Sequence, residues 1–206
     1  LILRVEPRHG VISRTSGAKQ HVIVANTDQI VVVASVCEPA LKPNLIDRII
    51  ITAEKAGIQS IVCLNKIDLV NPSELQPLAG VYGQLGYETL FTSVINNQGI
   101  QRLKNQLDGK QTVIVGQSGV GKSSLLNAID PDLALRTAVV SKENQKGKHT
   151  TTTAQLIPLQ HGGFVVDTPG IRQFQLWDVI PEEVEDFKYL MVRLKDILQL
   201  DDQQFS

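Results

Sequence analysis

Eight consecutive residues, Gly116-Gln117-Ser118-Gly119-Val120-Gly121-Lys122-Ser123, fit the pattern GxxxxGK[ST] and are followed by Ser124. An apolar run precedes them and a helical pattern follows, which is the context that this motif requires. Its glycines let successive backbone N–H groups and a helix N-terminus point at one phosphate. Lys122 is predicted to bridge the β- and γ-phosphates of a nucleotide, and the Ser123 hydroxyl to bind Mg²⁺. The alternative, a glycine-rich turn without function, is disfavoured by the flanking elements.

A second motif, Asn65-Lys66-Ile67-Asp68, follows the apolar run 60–64. Ligands of open α/β sheets bind at the carboxyl ends of strands, where this motif is expected to lie. The Asp68 carboxylate can accept hydrogen bonds from N1–H and the N2 amino group of guanine, a donor pair that adenine lacks. Alone, the motif is equally compatible with a solvated exit from a strand. Beside a phosphate-binding loop it predicts a guanine nucleotide, with Ser93 in Thr92-Ser93-Val94 contacting guanine O6 through its backbone.

Two segments near the end of the chain are candidates for the γ-phosphate and the metal. Asp167-Thr168-Pro169-Gly170 follows a predicted strand. Its DxxG pattern places a carboxylate near Mg²⁺, through water, and the Gly170 N–H near the γ-phosphate. A simple Pro-Gly turn is the alternative. In the run His149-Thr150-Thr151-Thr152-Thr153, Thr151 or Thr152 is expected to bind Mg²⁺ while the γ-phosphate is present. The start of an edge strand is the alternative there.

The motifs do not include the residue that usually orients the attacking water. Many GTPases place a glutamine just after DxxG for this purpose. Here that position holds Ile171, so slow intrinsic turnover is expected. His149 is the nearest candidate to hold the water or to transfer its proton, beside Lys122 as the second predicted catalytic residue. A solvated loop histidine is the alternative.

The elements that must position these motifs belong to an α/β protein with a mostly parallel sheet, a three-layer P-loop sandwich. β-Branched runs alternate with helical patterns from residue 29 onward, as in strands that are buried on both faces. Strands are predicted at 29–36, 59–64, 89–93, 111–115, 153–159 and 163–166. Helices are predicted at 44–56, 73–85, 99–107, 121–128 and 182–198. Gly162-Gly163 predicts a tight hairpin between the last two strands.

The order of the motifs is unusual. NKxD comes first, then the phosphate loop, the threonine run and DxxG, whereas conventional GTPases begin with the phosphate loop and reach NKxD last. The whole set is present but rotated, which predicts a circular permutation joined through the short linker 108–110. We expect a partial β segment at 1–27, the nucleotide-binding domain at 28–178 and an acidic helical tail at 179–206.

Composition sets the broad class. The chain has 206 residues, 42% hydrophobic and 20% charged, with a formal net charge of -1. These values are typical of a globular protein, and no apolar run approaches the roughly 20 residues that span a bilayer. Cys37 and Cys63 lie in or beside apolar runs, so they are predicted to be buried small hydrophobes in a reducing compartment. Their spacing matches no zinc site. A cytoplasmic monomer without membrane or DNA partners is expected.

The motif set resembles the circularly permuted GTPases and, within them, the RsgA family of small ribosomal subunit biogenesis GTPases. The resemblance covers nearly all of residues 1–180. It is carried by Asn65-Lys66-Ile67-Asp68, by Gly116 to Ser124, by Gly147-Lys148-His149-Thr150-Thr151-Thr152 and by Asp167-Thr168-Pro169-Gly170-Ile171-Arg172. It implies GTP hydrolysis with Mg²⁺, an N-terminal OB-fold barrel of which residues 1–27 are part, and late maturation of the small ribosomal subunit, which stimulates hydrolysis.

The chain departs from that family at its carboxyl end. RsgA-like proteins carry a zinc subdomain with clustered Cys and His, whereas no cysteine follows Cys63 and the tail is acidic, so no zinc ligands are predicted. A basic stretch is expected to contact rRNA phosphates, although a solvated loop is equally compatible with each residue. Its cations are Arg136, Lys142, Lys146 and Lys148.

Three other functions fit parts of the pattern. A permuted GTPase of the large ribosomal subunit is one, although the Lys148 to Thr152 segment and the β-rich N-terminus favour the small-subunit type. A nucleotide-dependent binding switch with negligible catalysis is the second, since Ile171 leaves the water without a known ligand. An ATPase such as a P-loop kinase is the third, and Asp68 argues against it.

Overall fold

The structure, a computed structural model, describes residues 4–16, 19–133 and 155–167. In these ranges a six-stranded sheet lies between two helical layers, preceded by a separate two-stranded antiparallel sheet. The sequence predicted this mixed α/β architecture with a mostly parallel sheet, and the structure confirms it. The predicted helix 182–198 lies outside the described residues.

The strands follow the β-branched runs of the sequence. Their bounds are β1 (Ile12–Ser16), β2 (Lys19–Val24), β3 (Gln29–Ser35), β4 (Gln59–Asn65), β5 (Glu88–Thr92), β6 (Gln111–Val115), β7 (Gln155–Pro158) and β8 (Phe164–Asp167). The large sheet has the order β5-β4-β3-β6-β8-β7. All neighbours pair in parallel except β7 and β8. Every residue of the central strand β3 is buried, because helices cover both faces of a parallel sheet.

The helices connect these strands. They are α1 (Pro43–Lys55), α2 (Gln76–Gln84), α3 (Ile100–Leu107) and α4 (Lys122–Ile129), with short 3₁₀ turns at Ile67–Leu69, Pro72–Leu75 and Pro131–Leu133. The predicted helix 73–85 is wrong at its start, where a 3₁₀ turn comes before α2. Pro77 lacks an N–H and is accommodated in the first turn of α2, so an α-helix cannot run through it from residue 73. The Asn71 side chain accepts from the Ser73 N–H at 3.1 Å and begins the 3₁₀ turn.

The two helical layers bury opposite faces of the sheet. On one face α1 packs Ile46, Ile49 and Ile50, three residues at helical spacing, against β3 and β4. On the other face α3 and α4 supply Leu103 and Leu125, among others. Burying each such side chain contributes about 1.5–3 kcal/mol, so both layers hold the sheet that carries the candidate motifs.

The last two strands form the predicted hairpin. β7 runs antiparallel to β8, and the Leu159 N–H donates to the Gly163 carbonyl at 3.1 Å. Gly162 and Gly163 have φ values of 97° and 79°, in the left-handed region that glycine enters without strain. A Cβ at Gly163 would lie 2.4 Å from the Leu107 carbonyl oxygen, so only glycine fits where the turn passes the end of α3.

The N-terminal segment is tied to the opposite edge of the sheet from the candidate motifs. Two short strands are described within residues 4–27, where the sequence indicated a β segment, and their membership of a β-barrel stays a prediction. Asp28 receives a 2.7 Å hydrogen bond from the Gln111 N–H and donates its own N–H to the Gln111 carbonyl at 3.0 Å. The segment that precedes β3 is thereby fixed to the start of β6.

The two cysteines differ in exposure. Cys63 is buried in β4, as predicted, but Cys37 is exposed, so that prediction was wrong. Cys37 follows the end of β3 and lies in the loop before α1, where the apolar run no longer dictates burial. Among the described residues no helix combines the length and hydrophobicity needed to cross a bilayer.

Candidate functional site

The parallel register brings the carboxyl ends of five strands to one edge of the sheet. Ser35 of β3 is paired with Asn65 of β4, and Asn65 is paired with Thr92 of β5. On the other side of β3, Val32 is paired with Val115 at the end of β6. The loops that follow these strands therefore lie side by side, which is the position where open α/β sheets bind ligands.

Residues 116–121 form the loop between β6 and α4. Gly116 has φ 151° and Gly121 has φ 98°, and both are packed too closely for a side chain. A Cβ at Gly116 would lie 2.1 Å from the Val33 carbonyl oxygen, and one at Gly121 would lie 2.4 Å from Asn65 Nδ2. The glycine spacing of the motif is therefore a requirement of the loop geometry. The N-terminus of α4 follows this loop, and helix N-termini bind anions.

Lys122 is the first residue of α4, and its side chain folds back over the loop. Its Nζ donates to the carbonyl oxygens of Gly116 at 2.6 Å and Gln117 at 2.8 Å. These two bonds hold the ammonium group beside the loop. The first turn of α4 contains no acidic residue, so the positive end of the helix dipole adds to this charge. The hydroxyls of Ser123 and Ser124 follow in the same turn.

Asn65 connects the two halves of the site. It is 2% exposed, and its Nδ2 donates to the Val120 carbonyl oxygen at 2.8 Å. Its Oδ1 accepts from the buried Thr92 hydroxyl at 3.0 Å. Asn65 thus fixes the position of the phosphate loop relative to β4 and β5. The sequence analysis assigned no side-chain role to Thr92. The signal for such a role was that Thr92 is polar and ends β5, the strand paired with the one that Asn65 ends.

Asp68 lies in the 3₁₀ turn directly after β4. Its Oδ1 accepts a short hydrogen bond from the Ser93 hydroxyl, which in turn accepts from the Asn96 N–H at 3.2 Å. The sequence predicted a backbone role for Ser93, and the structure adds this side-chain contact. Ile67 is 5% exposed, so its side chain packs in the core and any ligand contact would come from its backbone.

Lys66 links the guanine motif to the loop before α1. It has φ 63°, and its ammonium group donates to the Glu38 carbonyl oxygen. That oxygen also accepts from the Ser35 hydroxyl at 2.8 Å. The neighbouring Pro39 places its Cδ 3.7 Å from the Cβ position of Gly119. The sequence analysis did not predict that the loop 36–42 contacts the site, because this loop carries no motif.

Cys63 lies beneath these polar contacts. Its Sγ is 3.4 Å from the Thr92 hydroxyl oxygen. Burial raises the pKa of this thiol to about 11, with the Thr92 hydrogen bond acting in the opposite direction. The group is neutral at physiological pH and serves as packing under Thr92 and not as a nucleophile.

The remaining predicted residues divide into two groups. Asp167 ends β8, one residue after the Val113–Val166 pair, so its backbone lies next to the strand that enters the phosphate loop. The others fall outside the described residues. These are His149, Thr151, Thr152, Gly170, Ile171 and the four cations of the basic stretch.

Comparison with known proteins identifies a family and a fold. The model of a family described as RsgA GTPase matches residues 5–177. The small ribosomal subunit biogenesis GTPase RsgA 1 of Vibrio vulnificus is 43% identical over 186 residues, which cover 87% of this chain and 52% of that protein. The chain therefore spans about half the length of the curated relatives it matches.

Two solved structures share the fold. YjeQ from Thermotoga maritima superposes with a TM-score of 0.64 at 29% identity, covering 96% of this chain and 78% of that one. YloQ, described as a circularly permuted GTPase, superposes with a TM-score of 0.56 at 24% identity, covering 96% and 83%.

Proposed function

Because the chain belongs to the RsgA GTPase family, we propose that it binds guanine nucleotides at the carboxyl edge of its large sheet and hydrolyses GTP to GDP and phosphate. One observation carries the proposal. The 2.8 Å hydrogen bond from Asn65 Nδ2 to the Val120 carbonyl brings the NKxD motif into contact with the loop after β6. The base and the phosphates of a nucleotide are separated by one ribose, so the residues that bind them must lie close together.

The loop from Gly116 to Ser123 would bind the phosphate chain. Its tight backbone packing leaves no room for side chains at two glycines, and Lys122 is held beside it by two carbonyl oxygens. The oxygen donors of Ser123, of Asp167 through water and of Thr151 or Thr152 would hold Mg²⁺, which prefers such ligands. When bound, the ion neutralises charge on the β- and γ-phosphate oxygens.

The Asp68 carboxylate would select the base. Guanine presents N1–H and its N2 amino group on one edge, and two carboxylate oxygens accept from both. The Ser93 hydroxyl already donates to Oδ1, which orients the carboxylate before the base arrives. A carboxylate oxygen accepts more than one hydrogen bond, so this contact and the base can be held together. Adenine lacks this pair of donors, so Asp68 would gain no hydrogen bond from the base, which disfavours ATP.

Hydrolysis by the chain alone would be slow. Ile171, directly after DxxG, has no group to orient water. We assign that role to His149, whose imidazole could hold the water or accept its proton near neutral pH.

The cellular target that we propose is the small ribosomal subunit during its late maturation. Relatives of this chain from Vibrio, Flavobacterium and Pseudomonas are named small ribosomal subunit biogenesis GTPases. The basic residues between the phosphate loop and DxxG would contact rRNA phosphates in that complex, and binding would weaken as salt rises. A cytoplasmic location follows from this target.

Two measurements test the proposal. Calorimetric titration with GDP, GTP and ATP should show binding of the guanine nucleotides only; equal affinity for ATP would remove the guanine assignment. Single-turnover phosphate release from GTP should accelerate when purified small subunits are added. Acceleration by large subunits alone would redirect the proposal to the other subunit, and no release under any condition would reduce the protein to a nucleotide-dependent binding switch.

A further inference from the structure

The buried hydroxyl of Ser35 organises the loop that follows β3. Ser35 ends this central strand and is 1% exposed. Its Oγ accepts from the Cys37 N–H at 3.4 Å and donates to the Glu38 carbonyl oxygen at 2.8 Å. Because a backbone N–H can only donate, Oγ is the acceptor of the first bond, and its own hydrogen points at the carbonyl. This short side chain therefore fixes the first turn of the loop 36–42.

The Glu38 carbonyl oxygen has a second partner, which comes from the neighbouring strand. Lys66 directly follows β4, and its ammonium group donates to the same oxygen. A carbonyl oxygen has two lone pairs, so it accepts both hydrogen bonds at once. β3 and β4 end side by side, since Ser35 is paired with Asn65. The Lys66 side chain therefore crosses the carboxyl edge of the sheet, from the end of β4 to the loop after β3.

The loop 36–42 also lies against the loop between β6 and α4. Pro39, directly after Glu38, places its Cδ 3.7 Å from the Cβ position of Gly119. The oxygen that holds the Lys66 ammonium thus belongs to a segment that touches the proposed phosphate site. A lysine side chain is long and flexible, and the hydrogen bond to Glu38 restricts it to one arrangement.

We propose that Ser35 is a positioning residue for nucleotide binding: its hydroxyl fixes the Glu38 carbonyl, which holds the Lys66 ammonium in place before the nucleotide arrives. Ordering a long side chain during binding lowers affinity, so a side chain that is held beforehand preserves affinity. A cation held at this edge also attracts an anionic nucleotide. This inference rests on the proposed binding of guanine nucleotides and adds a residue that belongs to neither the NKxD nor the GxxxxGK[ST] motif.

The test is a double-mutant cycle in the whole chain, made of Ser35→Ala, Lys66→Met and the variant with both changes. Lys66→Met keeps a long side chain but removes the ammonium group. Calorimetry measures the affinity for GDP, and circular dichroism checks that each variant is folded at the titration temperature. Ser35→Ala should weaken GDP binding by about tenfold, and it should have no further effect once Lys66 is replaced. A serine that acted only on overall stability would not show this dependence on Lys66.

Ser60→Ala is the matched control. Ser60 is also buried, at 6% exposed, but it lies near the amino end of β4, and its hydroxyl has no hydrogen-bond partner among the described residues. This variant should bind GDP as the wild type does. Ser35→Cys, which offers a weaker donor of similar size, is measured beside Ser35→Ala and replaces it in the cycle if the alanine variant does not fold.

Three results would overturn the inference while leaving guanine-nucleotide binding intact. The first is wild-type GDP affinity in Ser35→Ala, and the second is wild-type GDP affinity in Lys66→Met. The third is the same loss from Ser35→Ala with and without the Lys66 ammonium, which would mean that Ser35 acts independently of Lys66. If the wild-type chain itself fails to bind GDP, the proposed function falls and this inference falls with it.

Discussion

Asn65 and Val120, 55 positions apart in the chain, are joined by a hydrogen bond of 2.8 Å from the amide of one to the carbonyl of the other. The donor ends strand β4 and the acceptor lies in the loop after β6. The same amide would collide with any side chain at Gly121. In the proposed function this contact would tie base recognition to phosphate recognition.

Removing this contact should affect folding and binding together. In Asn65→Ala the Val120 carbonyl and the Thr92 hydroxyl lose their buried partner, which should lower the free energy of unfolding by about 1–3 kcal/mol. GDP affinity should fall as well, because the phosphate loop is no longer fixed. Urea unfolding and GDP titration measure the two effects. Asn105→Ala, an exposed residue of α3, is the control; identical behaviour of the two variants would remove Asn65 from the site.

Asp68→Asn should exchange the base specificity. The amide presents one acceptor and one donor in place of two acceptors, so it suits xanthine, which carries an oxygen where guanine carries the N2 amino group. We expect GDP affinity to fall by at least about 100-fold and xanthosine diphosphate to become the preferred ligand. Competition titrations with both nucleotides check this, with the exposed Asp108→Asn as control. Unchanged preference for GDP would show that the base lies elsewhere.

His149→Ala tests the proposed catalytic group. If the imidazole orients the attacking water, phosphate release from bound GTP should slow by about 100-fold, a typical contribution of a general base. GTP affinity should remain nearly intact, because the phosphate loop and Asp68 are untouched. Single-turnover assays with added small subunits measure the rate. His161→Ala, in the exposed turn between β7 and β8, should react at the wild-type rate, and an equal rate in His149→Ala would exclude the residue from the mechanism.

Asp47 should make stability depend on pH. It is 6% exposed on α1 and accepts a 2.8 Å hydrogen bond from the Tyr82 hydroxyl of α2. Burial raises the pKa of the Asp47 carboxyl to about 6, and the hydrogen bond from Tyr82 opposes this rise. A carboxyl with a higher pKa in the folded state contributes stability below its unfolded pKa, near 4, and this contribution is lost as the pH rises through about 6.

Asp47→Asn removes this loss of stability at higher pH. The amide oxygen still accepts the hydrogen bond from Tyr82, but the side chain does not ionise. Relative to the wild type, the variant should therefore gain about 2–3 kcal/mol of unfolding free energy between about pH 4 and pH 7. Urea unfolding over this range, with Asp108→Asn as control, checks it. A constant difference between wild type and variant would contradict the assignment.

Much of the fold could be predicted because its signals are local. The β-branched run of β3 indicated a strand buried on both faces, and Gly162-Gly163 indicated the hairpin of β7 and β8; both are confirmed. The predicted start of the helix near residue 73 was wrong because Pro77, which lacks an N–H, is tolerated only in the first turn of α2. The exposure of Cys37 was missed because the strand ends two residues before it.

The sequence by itself determined which motifs are present. It contains the GxxxxGK[ST] loop, whose glycines allow its backbone conformation, the NKxD motif at a strand end, and the rotated order of the two. Only the tertiary structure decided which groups act together. The Asn65–Val120, Asp68–Ser93 and Lys66–Glu38 contacts join residues that are far apart in sequence, and each of them depends on the parallel register of neighbouring strands. No local pattern encodes that register, because it results from packing both faces of the whole sheet against its helices.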